Sequence, residues 1–284
     1  MNIYKSQKES KAKPFVKWVG GKRQLLNQFR DNTLYPKKFN PSENKYYEPF
    51  AGGGAVFFDI LPEKAVLSDL NKELVTTYNV IKKDVESLIK SLKKHKNEKE
   101  YFLEMRARDW KEMNDVDVAS RFIYLNRTAF NGMYRVNKSG GYNVPFANYK
   151  NPKICDEDNL RSVSKLLKKV SIKHQDYKNV LKNAQKGDYI YLDPPYYPIS
   201  KTSSFTSYTA DAFLEKEQEE LKETFHELSK KGCYVMLSNS DTPFIKDLYS
   251  KVPQAKIHTV MAGRAINSNG SGRGKIKEVV ITNY

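Results

Sequence analysis

The sequence predicts an α/β protein whose core is a mostly parallel sheet, and two observations support this prediction. A glycine cluster follows the first strand-like segment, which is typical of a tight turn between a strand and a helix. Helical patterns alternate with several of the apolar segments, as expected for parallel strands joined by helices. Segments with the length and composition of strands lie at 46–50, 65–67, 189–193, 233–238, 256–260 and 277–283.

Helical patterns account for most of the remaining chain. In the long region that follows the second strand, apolar residues recur at helical spacing, as Leu74, Tyr78 and Ile81 do. Helices are predicted to begin near residue 22 and residue 55, to fill most of 71–125, and to cover 157–169 and 211–230.

The region 126–149 has a different pattern. The turn signals Asn131-Gly132 and Ser139-Gly140-Gly141 flank two short segments, 133–137 and 142–146, which indicates a hairpin or a loop module. We therefore expect a mainly helical domain at 76–175, containing this hairpin and inserted into the sheet domain. The sheet domain would then be discontinuous and comprise 1–75 and 176–284.

The net charge of +16 is unevenly distributed. Residues 1–30, 76–175 and 255–284 carry the positive excess, whereas the segment around residue 193 is slightly acidic. This pattern fits a near-neutral catalytic body with basic surfaces that bind a polyanion. The alternative is a lysine-rich chain with solvated helix faces, and we favour that alternative for 82–99.

Composition also excludes several classes of protein. No apolar run approaches the length of a membrane span, and the N-terminal residues lack the apolar core of a signal peptide. The two cysteines, Cys155 and Cys233, lie far apart, and the four histidines are scattered, so neither a disulfide framework nor a metal site is expected. We expect a cytoplasmic protein without a metal.

The sequence Asp193-Pro194-Pro195-Tyr196 follows a strand and suits one task, the holding of a flat exocyclic amine during methyl transfer. The amino lone pair of adenine or cytosine is delocalised into the ring and is therefore a poor nucleophile. Two acceptors, the Asp193 carboxylate and the Pro194 carbonyl, would draw that nitrogen toward a tetrahedral shape. The prolines restrict the backbone that carries both acceptors, and Tyr196 offers a stacking face. Alone, the four residues could equally be a rigid turn after a strand.

Two further motifs indicate a nucleoside-bearing cofactor. Gly52, Gly53 and Gly54 let backbone amides approach a ligand at a helix N-terminus, although a simple tight turn explains them equally well. Asp69 ends the next strand, where an acid can accept hydrogen bonds from ribose hydroxyls, or can cap the following helix. Trp18 could stack on a ligand, but a buried tryptophan that anchors a loop is the simpler interpretation.

The hairpin region carries candidates for base recognition. Arg127 and Arg135 flank aromatic and turn residues, and arginine can bond both O6 and N7 of guanine; arginines paired with acids in a structural turn are the alternative. The segment 203–213, which contains Ser207 and Tyr208, suits a loop that orders over substrate. The residues 238–240 close a strand and could form a turn or an edge of the same pocket.

Taken in order, the motifs WVGGK, EPFAGGG, SDLN, NRTAFNGMYRVN, NVPF and DPPY resemble the Dam-type (D12 class, alpha-group) DNA adenine N6-methyltransferases. The resemblance extends from about Pro14 to the C-terminus. It implies a Rossmann-like methyltransferase sheet, S-adenosylmethionine as methyl donor and S-adenosylhomocysteine as product. It also implies double-stranded DNA as partner, a flipped adenine as target and GATC as the commonest recognition site.

The resemblance and the motifs together give a set of candidate site residues. The catalytic candidates are Asp193, Pro194, Pro195 and Tyr196. The cofactor-binding candidates are Trp18, Lys22, Phe50, Gly52, Gly53, Gly54, Asp69 and Asp193. The DNA-binding candidates are Lys17, Arg127, Phe130, Asn131, Met133, Arg135, Asn137, Pro145, Ser207 and Tyr208.

Other functions stay open at this stage. A catalytically decayed DNA-binding protein would keep the basic surfaces, and a methyltransferase acting on cytosine N4 or on RNA would keep the chemistry. We expect a monomer that works beside a cognate restriction endonuclease, as the modification enzyme of a restriction-modification system.

Overall fold

A computed structural model of the protein describes residues 12–18, 20–137, 139–199, 213–263 and 274–284. These residues form a mixed α/β structure with a seven-stranded sheet in the order β3-β2-β1-β4-β5-β7-β6. The strands are β1 (Tyr46–Glu48), β2 (Ala65–Asp69), β3 (Val170–His174), β4 (Tyr189–Leu192), β5 (Tyr234–Ser240), β6 (Lys256–Gly263) and β7 (Lys275–Thr282).

The first five strands of this order are parallel, and β7 lies antiparallel between β5 and β6. β1 pairs with β2 on one side and with β4 on the other, with Tyr46 opposite Ala65 and Tyr189. The direction of winding therefore reverses between β1 and β4, and open α/β sheets bind ligands at the carboxyl ends of strands at such a point. The predicted α/β fold is confirmed.

The described helices pack on both faces of the sheet and in the region between β2 and β3. They are α1 (Leu26–Asp31), α2 (Ala55–Ile60), α3 (Lys72–Lys83), α4 (Val85–Leu92), α5 (Lys99–Ala107), α6 (Asp115–Thr128), α7 (Glu157–Leu167), α8 (Val180–Asn183), α9 (Glu215–Lys230) and α10 (Pro243–Ser250). Short 3-10 turns cover Lys22–Gln24, Trp110–Glu112, Phe130–Gly132 and Tyr177–Asn179.

The core lies on both faces of β4, whose four residues are all buried. An uninterrupted apolar strand is what a central parallel strand requires, since helices cover both of its faces. Tyr189 packs edge-on against Tyr46 and Phe39 on one face, while Ile190 and the apolar residues of α9 and α10 fill the other.

One strand was missed by the sequence analysis. β3 is short and its last residues are exposed, so its pattern is weak, yet its full length pairs with β2. β3 lies inside 76–175, and the division of the chain into domains at residues 75 and 176 stays a prediction.

The hairpin region has the expected form. Antiparallel bridges join Ala129 to Phe146 and Val136 to Tyr142, and the Asn143 N–H donates to the Arg135 carbonyl at 3.0 Å. Within the described ranges, no helix is both long and apolar enough to cross a membrane.

Candidate active site

The sequence Asp193-Pro194-Pro195-Tyr196 leaves the carboxyl end of β4 at the reversal point of the sheet. Two buried amides hold the backbone that follows. Gln218 Nε2 donates to the Pro195 carbonyl at 3.0 Å, and the Tyr197 N–H donates to Asn239 Oδ1 at 3.1 Å. Asn239 Nδ2 in turn donates to Gln218 Oε1 at 2.9 Å, so the turn is fixed by side chains of α9 and β5.

The sequence analysis noticed the segment that contains one of these two amides and missed the other. Asn239 lies in the segment 238–240, for which a turn or an edge of the pocket was expected; the turn is wrong, because β5 continues through Ser240, and Asn239 contacts the backbone that follows Asp193. Gln218 was missed, because a glutamine on an amphipathic helix gives no signal of a buried position. Both side chains have no measurable exposure.

Lys22 and Asp193 form an ion pair at this edge, with Lys22 Nζ 2.8 Å from Asp193 Oδ1. Lys22 is buried, with an exposed fraction of 3%, and it also donates to the Gly20 carbonyl. Burial raises the pKa of Asp193 to about 6, and the ammonium of Lys22 opposes this rise while Glu278 adds to it. A carboxyl with this pKa is still mostly ionised at neutral pH and is able to accept hydrogen bonds.

The ring of Tyr196 is fixed at both its face and its hydroxyl. Lys22 Nζ lies 4.7 Å from the ring centroid, and the Tyr196 hydroxyl donates to Glu278 Oε2 at 2.8 Å. Burial, together with the nearby carboxylates of Asp193 and Glu278, raises the pKa of Tyr196 well above its ordinary value. Glu278 was missed by the sequence analysis, since a single acid in an exposed half of a strand gives no signal.

The glycine turn after β1 supports Trp18. Gly52 has a φ of 45°, and a Cβ at this position would lie 2.7 Å from Cδ1 and Nε1 of the Trp18 indole. Gly54 also has positive φ, and its close neighbour is the Tyr78 hydroxyl, which donates to the Gly52 carbonyl at 3.0 Å. A Cβ added at Gly52 or at Gly53 would therefore meet the Trp18 side chain first.

Asp69 at the end of β2 is linked to the same turn. Its Oδ2 accepts the Gly52 N–H at 3.0 Å, and its Oδ1 accepts the Asn71 N–H at 2.9 Å. Burial raises the pKa of Asp69, and these backbone donors oppose the rise. The cap of α3 is Asn71, whose side chain accepts the Leu74 N–H, so the alternative role of Asp69 as helix cap is wrong.

Phe50 forms the opposite side of this end of the sheet with two further aromatic residues. It stacks on Tyr177 with ring centroids 5.2 Å apart, and Phe213 meets it edge-on at 6.0 Å. Tyr177 was missed, because it lies in no motif, and Phe213 was not named as a candidate although it ends the segment 203–213 that the sequence analysis noticed.

A buried acid lies beneath the turn. Glu48 ends β1, and its Oε2 accepts the Tyr46 hydroxyl at 2.7 Å and the Phe57 N–H at 3.1 Å. Burial and the charge of Asp193 raise the pKa of Glu48 to about 8. Glu48 is therefore mostly protonated at neutral pH.

The hairpin is attached to the segment that carries Lys17 and Trp18. Asn126 Oδ1 accepts the Lys17 N–H at 2.8 Å, and Asn126 Nδ2 donates to the carbonyls of Lys17 and Gly132, both at 2.8 Å. Lys17 Nζ lies 5.0 Å from the ring centroid of Tyr149. Asn126 was missed as an anchor, although the motif that contains it was noticed.

Phe130, Asn131 and Pro145 form an exposed patch beside the Ala129–Phe146 bridge, at the end of the hairpin opposite its turn. Phe130 is about half exposed, and its N–H donates to the Pro145 carbonyl at 2.9 Å. Asn131 has a φ of 54°, and its N–H donates to the Tyr149 hydroxyl at 3.1 Å. The three residues are brought together on the surface.

The remaining candidates of the hairpin differ in what they contact. Arg135 is exposed and donates from Nε to Asn143 Oδ1 at 2.7 Å. Arg127 is half-buried and donates to the Phe15 carbonyl at 2.6 Å, and burial lowers its pKa.

Asn137 shapes the turn of the hairpin, because its Oδ1 accepts from the N–H groups of Ser139 and Gly141. The Met133 carbonyl accepts the Tyr142 hydroxyl. Ser207 and Tyr208 lie outside the described residues.

The seven-stranded sheet and its helices are those of a Rossmann-like methyltransferase fold, and membership of a methyltransferase family, which implies S-adenosylmethionine as cofactor, follows from sequence comparison. The model of the family described as D12 class N6 adenine-specific DNA methyltransferases matches residues 18–266, and the chain belongs to this family. Its enzymes act on adenine in DNA, which decides against the cytosine and RNA alternatives.

Curated relatives match along almost the whole chain. The Type II methyltransferase M1.LlaDCHI of Lactococcus lactis subsp. cremoris is 44% identical, over 100% of this chain and 99% of the relative. The Type II methyltransferase M.MjaIII of Methanocaldococcus jannaschii is 43% identical, over 96% and 99%. The DNA adenine methylase of Escherichia coli K12 is 31% identical, over 95% of each chain.

The residues at the carboxyl end of the sheet fit S-adenosylmethionine. Asp69 has backbone donors on both oxygens yet retains acceptor capacity for ribose hydroxyls. Phe50, which is partly exposed and stacks on buried Tyr177, offers aromatic surface for a purine. Asp193 supplies a negative charge at the end where a sulfonium would lie. Among the described residues, no group of three His, Cys, Asp or Glu side chains is placed to hold a metal ion.

Proposed function

We propose that this enzyme methylates N6 of an adenine that is flipped out of duplex DNA, within GATC, as the modification enzyme of a Type II restriction-modification system. The observation that carries the proposal is the ion pair of Lys22 with Asp193 beside the ring of Tyr196, at the reversal point of the sheet. The names of the two relatives at 44% and 43% identity support the restriction-modification role.

In this proposal the chain holds the reacting amine. Lys22 occupies one oxygen of Asp193, and the carboxylate keeps lone pairs with which to accept one N–H of the amine. The Pro194 carbonyl accepts the other, and Tyr196 stacks on the base. Transfer of a methyl group from the sulfonium to the amine would release one proton from the nitrogen, and Asp193 would accept it. The cofactor supplies the electrophilic methyl group.

Cofactor binding is assigned to the two sides of the glycine turn. Asp69 accepts from the ribose hydroxyls, Phe50 packs against the purine, and Trp18 and Lys22 line the methionine end. Gly52, Gly53 and Gly54 let the backbone come close to both Trp18 and the cofactor.

DNA binding is assigned to the hairpin and its surroundings. Flipping is required because N6 is paired inside the duplex, and it costs a few kcal/mol of unstacking. Exposed Phe130 and Pro145 would pack on bases, Arg135 would read a guanine, and Lys17 would contribute positive charge. The enzyme would act as a monomer in the cytoplasm, beside an endonuclease with the same recognition site.

The direct test is methylation of plasmid DNA that lacks methylated adenine. Digestion with GATC endonucleases that methylation blocks, combined with single-molecule sequencing and mass analysis of nucleosides, reads out both the site and the base. N6-methyladenine at GATC is the expected product. N6-methyladenine at another site would overturn the GATC assignment, and absence of any methylated base would overturn the enzymatic function.

Asp193→Ala provides the mechanistic control. This variant is expected to lose methylation while it still retards duplex DNA in a gel. Asp247→Ala is a matched variant, since Asp247 is an exposed acid of α10 that pairs with Lys251, and it should retain methylation. Full activity of Asp193→Ala would overturn the role of Asp193.

A further inference from the structure

Tyr134 lies in the hairpin between two DNA-binding candidates, Met133 and Arg135, yet its own side chain packs inward on Trp18 and Glu73. Its ring stacks on the indole of Trp18, with centroids 5.9 Å apart and planes inclined by 20°. Trp18 in turn lies against Gly52 of the glycine turn. One aromatic contact thus joins the hairpin to the cofactor-binding candidates.

The hydroxyl of Tyr134 is held as firmly as its ring. It donates to Glu73 Oε1 at 2.7 Å, and Glu73 Oε2 pairs with Arg121 at 2.8 Å. Glu73 and Arg121 each have an exposed fraction of 2%, so this ion pair is removed from water. Arg121 also donates to the carbonyls of Met105 and Arg106, which leaves the guanidinium fully engaged.

The position of Glu73 ties this network to Asp69. Glu73 lies in the first turn of α3, which Asn71 caps, and the Asn71 N–H donates to Asp69 Oδ1. The two ends of Tyr134 therefore lead to the same loop, the ring through Trp18 and Gly52 and the hydroxyl through Glu73 and α3. A displacement of the hairpin has to disturb one of these two routes.

Such double attachment has a thermodynamic consequence. If a ligand at one site favours one placement of Trp18, and a ligand at the other favours one placement of the hairpin, each ligand changes the affinity for the other by the same factor. A pair of stacked rings contributes enough to transmit a change of severalfold in affinity.

We propose that Tyr134 is a positioning residue that links cofactor binding at Trp18 to duplex binding by the hairpin. The inference rests on the proposed function, because it takes Trp18 as part of the cofactor site and the hairpin as part of the DNA site. Tyr134 itself touches neither ligand. Its contribution is to make the occupied state of one site favour the occupied state of the other.

The test measures the link rather than either affinity alone. The sequence contains two tryptophans, so a Trp110→Phe background leaves Trp18 as the single fluorescent reporter. S-adenosylhomocysteine is titrated with and without a saturating duplex that contains the site identified by the plasmid methylation experiment. The ratio of the two dissociation constants is the quantity compared between variants.

In the Trp110→Phe background we expect the duplex to tighten S-adenosylhomocysteine binding about 5-fold or more. Tyr134→Leu and Tyr134→Met remove the ring and should bring the ratio to within about twofold of 1. Tyr134→Phe keeps the ring on Trp18 and should restore most of the link, which a loss of hairpin stability alone would not explain. Tyr101→Leu is the matched control, because Tyr101 is a tyrosine of α5 whose ring packs on Tyr124. This variant should leave the ratio unchanged.

Two results would separate the possible failures. If the parent protein binds neither S-adenosylhomocysteine nor any duplex, the proposed function itself is wrong. If it binds both, but the ratio is already 1 or is the same in folded Tyr134→Leu or Tyr134→Met, the positioning role of Tyr134 is wrong and the function stands. Thermal unfolding of each variant establishes that it is folded before the ratio is interpreted.

Discussion

Lys22 Nζ lies 2.8 Å from Asp193 Oδ1, although the two residues are far apart in the sequence. The pair sits where β4 ends and where the 3-10 turn Lys22–Gln24 begins. It joins a cation that is almost fully buried to a carboxylate that has partial access to solvent. The ammonium of Lys22 therefore lowers the pKa of Asp193 and opposes the rise that burial causes.

The first prediction concerns the pH dependence of catalysis. Asp193 has a pKa raised to about 6 in the folded protein, and its ionised form is the one that both pairs with Lys22 and accepts the amine N–H and its proton. The rate should therefore fall as the pH is lowered through about 6. Lys22→Met removes the positive charge that opposes the rise in the Asp193 pKa. The fall in rate on the acid side of the pH profile (its acid limb) should therefore move to higher pH.

Single-turnover rates between pH 5 and pH 9, with saturating S-adenosylmethionine and duplex, would show this shift. Lys22→Arg keeps a positive charge and serves as the control, with its acid limb closer to that of the unsubstituted enzyme. An acid limb that stays in place or moves to lower pH in Lys22→Met would contradict the assignment.

The second prediction concerns stability. Burial raises the pKa of Glu48 from 4.5 to about 8, so the folded state holds a proton that the unfolded state releases. This contribution to stability is complete below about pH 4.5 and is lost as the pH rises through about 8. Glu48→Gln keeps an acceptor for Tyr46 and Phe57 but cannot ionise, so it should gain stability relative to the unsubstituted protein as the pH rises.

Urea unfolding at pH 5, 6, 7 and 8 gives the difference in unfolding free energy between the two proteins. Its slope should be at most about 1.4 kcal/mol per pH unit in favour of Glu48→Gln. Other carboxyls with a raised pKa are present in both proteins, so the difference between the two unfolding free energies reports Glu48 alone. A difference that does not change with pH would show that Glu48 is ionised in the folded protein.

The fold could be predicted from the sequence further than the site could. The strands before and after the glycine turn, and the strand before Asp193, have apolar patterns that periodicity detects. β3 was missed because its second half is exposed, so only its pairing with β2 stabilises it. Pairing between distant segments leaves no local pattern.

The site was predicted where a motif concentrates chemistry in consecutive residues. Asp193 and Asp69 were chosen as candidates for that reason, and their roles stay predictions. Glu278, Gln218 and Tyr134 were not chosen, because each acts through one hydrogen bond or one ring contact with a residue far away in the sequence. Glu, Gln and Tyr are common residue types that carry no local signal in a sequence. Their roles arise only when separate elements pack together.

The third prediction tests the glycine turn. Gly52→Ala forces a side chain onto a backbone with a φ of 45° and places its Cβ 2.7 Å from the Trp18 indole. The variant should lose stability and should bind S-adenosylhomocysteine more weakly, because Trp18 has to move. Gly140→Ala is the matched control: φ is 82°, but no atom lies within 4 Å of the added Cβ.

Calorimetric titration and thermal unfolding of both variants separate the two effects. Gly140→Ala should lose about 1–2 kcal/mol from the left-handed backbone, and its affinity for S-adenosylhomocysteine should not change. Equal cofactor affinity in the two variants would show that contact of Gly52 with Trp18 does not matter for binding.

The fourth prediction compares the two arginines of the hairpin region. Arg135 is exposed, and its bonds to Asn143 leave much of the guanidinium able to reach a base edge. Arg135→Ala should reduce discrimination at one base pair of the site by about 1–3 kcal/mol. Arg127 instead donates to the Phe15 carbonyl from a half-buried position, so Arg127→Ala should mainly lower stability, by about 1 kcal/mol or more for a lost bond from a charged donor.

Methylation rates on a set of duplexes, each with one base pair of the site replaced, distinguish the two outcomes. For Arg135→Ala the penalty should shrink at a single position and remain at the others, because one side chain reads one base. For Arg127→Ala the order of preference among the duplexes should be the same as in the unsubstituted enzyme, with a lower unfolding temperature. The reverse result, in which Arg127→Ala alone changes the preference, would move guanine recognition from the hairpin to the end of α6.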